Sequence, residues 1–76
     1  MPIIDTEFFE AHRDADVQVD FHEEFDRELV AVLRDFRPGL TPQLGDVLVA
    51  GCWGAKSAKV QVIEITAAWV RLRVLD

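Results

Sequence analysis

Four acidic residues, Asp20, Glu24, Glu28 and Asp35, lie in a stretch whose apolar residues recur at helical intervals. On a helix the four fall within about 80° of one another, off the apolar side. Asp20–Glu24 and Glu24–Glu28 are like-charge i,i+4 pairs, each costing about 0.2–0.5 kcal/mol. Glu23–Arg27 returns only a similar amount. From Asp20 through Glu24 to Glu28 successive members step roughly 6 Å along the axis, close to the advance of two nucleotides in one DNA strand. Such a column would present negative charge to a basic protein surface, and in its sharpest form would mimic a nucleic acid. An ordinary solvated acidic helix has the same pattern.

The other chemistry-bearing residues carry less. On the same helix His22 falls on the apolar side, beside Glu23 and Asp26, where a general base or metal ligand could sit. His12 lies at the end of a shorter helix, where a cation suits the dipole. No third ligand joins them, so packing is the reading taken. Cys52, in Gly51-Cys52-Trp53-Gly54, is the only cysteine. It excludes an internal disulfide, and no base or electropositive surround marks it as a nucleophile. The GCWG glycines lack phosphate-loop spacing and a following helix. Neither catalysis, a cofactor nor a metal is expected. Trp53 and Trp69 are read first as core residues and second as aromatic anchors of a binding surface. Lys56, Lys59, Arg71 and Arg73 make a small basic face, a solvated strand face or a phosphate contact.

The totals suit one small globular domain of 76 residues, 50% hydrophobic and 29% charged. Net charge is −6, unevenly spread. Met1–Phe36 holds eleven acidic and three basic residues, −8, and Arg37–Asp76 three acidic and five basic, +2. The acidic front half disfavours direct nucleic-acid or anionic-membrane binding and favours a basic protein partner. The apolar run Val47–Ala55 is too short to span a bilayer. MPIIDTEFFE has neither the basic nor the apolar region of a signal peptide. A reducing cytoplasm is the expected compartment.

These residues need elements to position them. KVQVIEITAAWVRLRVL, Lys59–Leu75, is the strongest strand signal, dense in β-branched residues that pack well on a pleated surface. Val70, Leu72 and Val74 alternate with Arg71 and Arg73. The half before it is apolar on both faces, Val60 and Val62 against Ile63 and Ile65. That pattern asks for a central strand, or for a bulge or coil that shifts the phase. Strands are expected near 46–53, 59–65 and 69–75, with a loop at Gly54–Ala58 and a connection near Thr66-Ala67-Ala68.

Upstream, helices are expected near 5–13, with Ile4, Phe8 and Ala11 on one face, and at Phe21–Phe36. Phe21, Phe25, Leu29, Val32, Leu33 and Phe36 give the second helix an apolar stripe about 120° wide. Asp20 with Glu23 resembles a capping box, and Arg37-Pro38-Gly39 is its stop. Val17–Asp20 is either a short edge strand or an extended linker.

The fold class expected is α+β: two N-terminal helices, then a three-stranded antiparallel meander. Opened by PQLGDVLVAG and closed by WVRLRVL, the meander resembles the strands of an SH3-like small barrel. That resemblance implies an interaction module by fold analogy alone. Phe25, Leu29, Val32, Leu33, Val62, Val70 and Leu72 are the expected core. A sheet apolar on both faces needs two covers. Curling into a barrel monomer is preferred to cover by a second copy.

The functional expectation is a non-enzymatic protein-binding module docking an acidic helical face on a basic protein, with Asp20, Glu24, Glu28, Asp35, Trp53 and Trp69 as partner-binding residues. Its sharp form is an inhibitor occupying a nucleic-acid site. The alternatives are an adaptor or assembly subunit using the sheet and its tryptophans, and a nucleic-acid binder through the basic face.

Overall fold

The computed structural model describes residues 6–75 and is mostly strand. Helix α1 (Thr6–Ala11) precedes strand β1 (Val17–Gln18) and a 3-10 turn at Phe21–Glu23. Strand β2 (Glu28–Ala31) and a second 3-10 turn at Leu33–Asp35 follow. Strands β3 (Val47–Gly51), β4 (Ala58–Ile65) and β5 (Val70–Val74) complete the chain. The strands form one sheet in the order β1-β3-β4-β5-β2, with β1 parallel to β3 and every other pair antiparallel. It is a mixed sheet curled into a half-barrel. A Val17–Phe36 bridge draws its two ends towards each other.

This overturns the expected α+β arrangement of two helices and a three-stranded meander. The helix expected at Phe21–Phe36 is replaced by a hairpin and a strand. Phe25 and Glu28 exchange both backbone hydrogen bonds, at 3.0 Å each, around Asp26-Arg27. Both turn residues have positive φ, 55° and 63°, the geometry that matches the twist of hairpin strands. Val30 and Val32 then supply β-branched, strand-forming side chains. Leu29 and Ala31 point inwards and are buried, whereas Val30 points outwards.

The apolar periodicity was therefore a coincidence of two short patterns. Phe25 and Leu33, expected in the core, are 83% and 64% exposed, and Val32 is half-buried. Leu29, Val62, Val70 and Leu72 are buried as expected. Arg37-Pro38-Gly39 closes a turn in which Leu40 N–H donates to the Arg37 carbonyl, with Gly39 at φ 91°. It turns the chain after β2 rather than stopping a long helix, and the 3-10 segment already ends at the extended Phe36.

The C-terminal strands lie close to their expected bounds. β4 is central, and its register with β5 shifts between Val62 and Glu64. Val60 and Val62 thus face the core, while Glu64 faces outwards opposite Arg71. Val17–Gln18 is a strand, as one of the two readings had it. The core joins Val17, Leu29, Phe36, Val60, Val62, Val70 and Leu72.

Helix α1 is shorter than expected, and Ile4 lies outside the described residues. Phe8, Phe9 and Ala15 form a second cluster, and Ala11 is exposed. Gly51 lets the helix approach, since a Cβ there would stand 3.3 Å from the Phe8 ring. Arg37 secures the helix end. Its Nε and Nη2 donate to Ala15 O at 2.9 and 2.6 Å, and Nη2 also reaches His12 O and Arg13 O at 3.1 and 2.7 Å. The guanidinium also lies 5.1 Å from the centre of the Phe9 ring.

Two variants test this arrangement. Replacing Asp26-Arg27 by Asn-Gly should stabilise the chain by about 1 kcal/mol, because these residues accept left-handed geometry. In a helix the same glycine would destabilise by about 1 kcal/mol. The sign, read by urea unfolding, separates the two folds. Arg37→Lys keeps the charge but loses the fork, and should cost about 2–3 kcal/mol. Trp53 fluorescence should follow, because Trp53 packs edge-on to Phe8.

Candidate protein-binding surface

The acidic residues expected on one helix face are dispersed by the hairpin. Asp20 sits before the first 3-10 turn and accepts from His22 N–H at 3.0 Å. Asp35 accepts from Val32 N–H at 2.9 Å. With Glu23, these two line a groove of about 350 Å³ where β1 and β2 fail to meet, over Val19, Leu29 and Val30. Glu24 is exposed beyond that groove. The regular 6 Å column of a helix does not exist, and that spacing was what the likeness to a nucleic-acid strand rested on.

Glu28 has a different role. On the outer face of β2 it accepts from Arg71 Nη1 at 3.2 Å and from Arg73 Nη2 at 3.1 Å. Arg71 Nε also donates to Glu64 at 2.9 Å. Hydrogen bonds to Glu64 and then to Glu28 raise the Arg71 pKa above its ordinary value. Antiparallel registration places these groups together, because Glu28 lies opposite Arg73 and Glu64 opposite Arg71. Arg71 also lies over the Trp69 ring, 5.1 Å from its centre. The arginines of the supposed basic face are therefore engaged with carboxylates.

The tryptophans do not form one aromatic pocket. Trp53 follows β3 beside the start of β4, and Trp69 precedes β5 beside its end. They are about 20 Å apart along that strand. Trp53 is 53% exposed and packs edge-on to His12 at 5.0 Å. His12 stacks on Phe8 at 4.3 Å and its Nδ1 donates to Phe8 O at 3.0 Å. His22, placed on the apolar side of the expected helix, projects into solvent. Cys52 is a half-buried free thiol.

Sequence reasoning missed Glu23, Phe25 and Val30 as surface features. Among the described residues Phe25 is the most exposed of the large apolar side chains. It shares a second depression, of about 230 Å³, with Glu23, Glu28, Val30 and Arg71. Glu23 and Val30 belong to both depressions, which joins them into one surface around the free side of β2. A phenylalanine inside FHEEFDRE was the available signal, since five carboxylates in Asp20–Glu28 make a poor core face.

Among the described residues, no group of three or more His, Cys, Asp and Glu could hold a metal ion, and no helix is long and apolar enough to cross a membrane. No known family model, curated protein or solved structure matches the chain.

Glu28→Gln tests the outer charge ladder. On a helix the loss of a like charge would relieve repulsion. Here it removes the negative charge shared by two arginines and one of the two oxygens that accept from them, so the melting temperature should fall. The fall should shrink at high salt, because exposed pairs are screened. Paired melts at low and high ionic strength give the answer.

Proposed function

We propose that the chain is a non-enzymatic, cytoplasmic binding protein that docks on a basic protein surface through the acidic segment Asp20–Glu28. One observation supports the reading above the others. Phe25 stands 83% exposed in a stretch carrying five carboxylates and one basic residue. An apolar anchor within a polar rim is the usual anatomy of a protein interface. The hairpin fixes the Phe25 backbone through two hydrogen bonds to Glu28, so little main-chain ordering has to accompany binding. The engagement of Arg71 and Arg73 by Glu28 and Glu64 supports this reading over phosphate binding by the sheet.

Charge complementarity of this kind acts mainly on encounter rate and on exclusion of wrong partners. Glu23→Lys with Glu24→Lys should slow association with a lysine-rich protein by at least tenfold at low salt. Phe25→Ala should instead speed dissociation by about tenfold or more while leaving association nearly unchanged. Surface plasmon resonance on an immobilised lysine-rich protein measures both rates. If neither change moves either rate, the segment is not the docking surface. An adaptor acting through Trp53 or Trp69 would then be favoured if Trp53→Ala or Trp69→Ala weakened the binding.

A further inference from the structure

The backbone of β2 shows what kind of segment its free side could take. Arg27 O accepts from Val74 N–H at 2.7 Å, so Arg27 directs its backbone groups towards β5. Leu29 and Ala31, two and four residues on, point the same way. Glu28 directs its N–H and C=O the opposite way, where Phe25 takes both. Val32 N–H also points away from β5 and is taken by the Asp35 carboxylate. Val30 lies between them in the same phase. Its N–H and C=O therefore face the seam groove, and among the described residues β2 pairs with β5 alone in the sheet.

Three features meet there: a strand edge open at Val30, the exposed apolar side chains of Phe25 and Val30, and the carboxylates of Asp20, Glu23 and Asp35. We propose that the β2 edge receives an extended segment of a partner protein in which lysine or arginine alternates with apolar residues. The segment pairs its main chain with Val30. Its apolar side chains rest against Val30 and Phe25, and its basic ones reach the seam carboxylates. Main-chain pairing would supply affinity and the alternate side chains specificity. A second copy of the chain does not fit, since pairing two β2 edges would bring two sets of like charges together. This inference rests on the docking role proposed above and names its occupant.

The test is a titration of the isotopically labelled full chain with a blocked peptide of alternating lysine and valine, followed by NMR. Three further peptides serve as controls: alternating glutamate and valine, lysine alone, and the lysine–valine peptide N-methylated at alternate residues on its pairing edge. The proposal expects lysine–valine binding that slows hydrogen exchange of the Val30 amide by about tenfold or more. It also expects at least tenfold weaker binding of the N-methylated and glutamate peptides, and weaker binding to the Glu23→Lys chain. Val30→Pro removes the outward N–H while sparing the β5 ladder, and should abolish binding if the variant folds. The methylated peptide carries the same test with the native chain. Binding with Val30 exchange unchanged, or undiminished by methylation, overturns edge pairing and leaves the acidic docking reading standing. Failure of all three lysine-containing peptides and of the lysine-rich protein to bind overturns both.

Discussion

The guanidinium of Arg37 holds together the parts of this chain that have least else to hold them. Helix α1 is six residues long, too short to be stable alone. Its end leaves carbonyls that need donors. Arg37 supplies donors to the segment that leaves the helix, at His12 O, Arg13 O and Ala15 O, while its own N–H donates to Asp16 O at 2.8 Å. Asp16 in turn exchanges bonds with Val49 through its backbone N–H and its carboxylate, at 2.7 and 2.9 Å. Arg37 and Asp16 thus join α1, β1, β3 and the segment after β2. A lysine could contribute the charge but not this set of directed donors.

The seam follows from that closure. The Val17–Phe36 bridge and the Arg37–Asp16 bond bring the sheet ends together at one place. Beyond it β1 continues for only Gln18 before the chain turns, so β2 runs on without a neighbour on its outer side. Exposed strand edges invite unwanted pairing, and proteins blunt them with charge, turns and side-chain contacts. Here Phe25 closes the edge at Glu28 and Asp35 closes it at Val32. Both blocks come from neighbouring residues, and the opening between them is limited to Val30.

The C-terminal half was legible because its signals are strong and local. Val70-Arg71-Leu72-Arg73-Val74 alternates without interruption, and the double-faced pattern at Val60–Ile65 asked for either a central position or a phase shift, of which the strand has both. The stretch Phe21–Phe36 was misread because its apolar spacing satisfies a helical stripe. Its actual turn uses Asp26-Arg27 at positive φ, without the glycine that normally advertises such geometry. Val30-Ala31-Val32 was the counter-signal, and burial of Leu29 and Ala31 against β5 decided the matter. The parallel pairing of β1 with β3 depends on contacts distant in sequence. A two-residue strand carries no periodicity from which to infer them.

The same misreading governs how the acidic residues were understood. On a helix Asp20, Glu24 and Glu28 would have repelled their neighbours, and all four would have stayed available to a partner. In the hairpin they divide by backbone position. Glu28 falls opposite Arg73 and is drawn into the outer ladder. Asp20 and Asp35 each bond a nearby backbone N–H, yet both line the groove. Their carboxylates fasten the local chain and contribute charge to the seam at once. Glu23, exposed at the overlap of the two depressions, can lose its charge without removing either of those backbone contacts. A change at Glu23 therefore separates recognition from folding more cleanly than one at Asp20, Glu28 or Asp35.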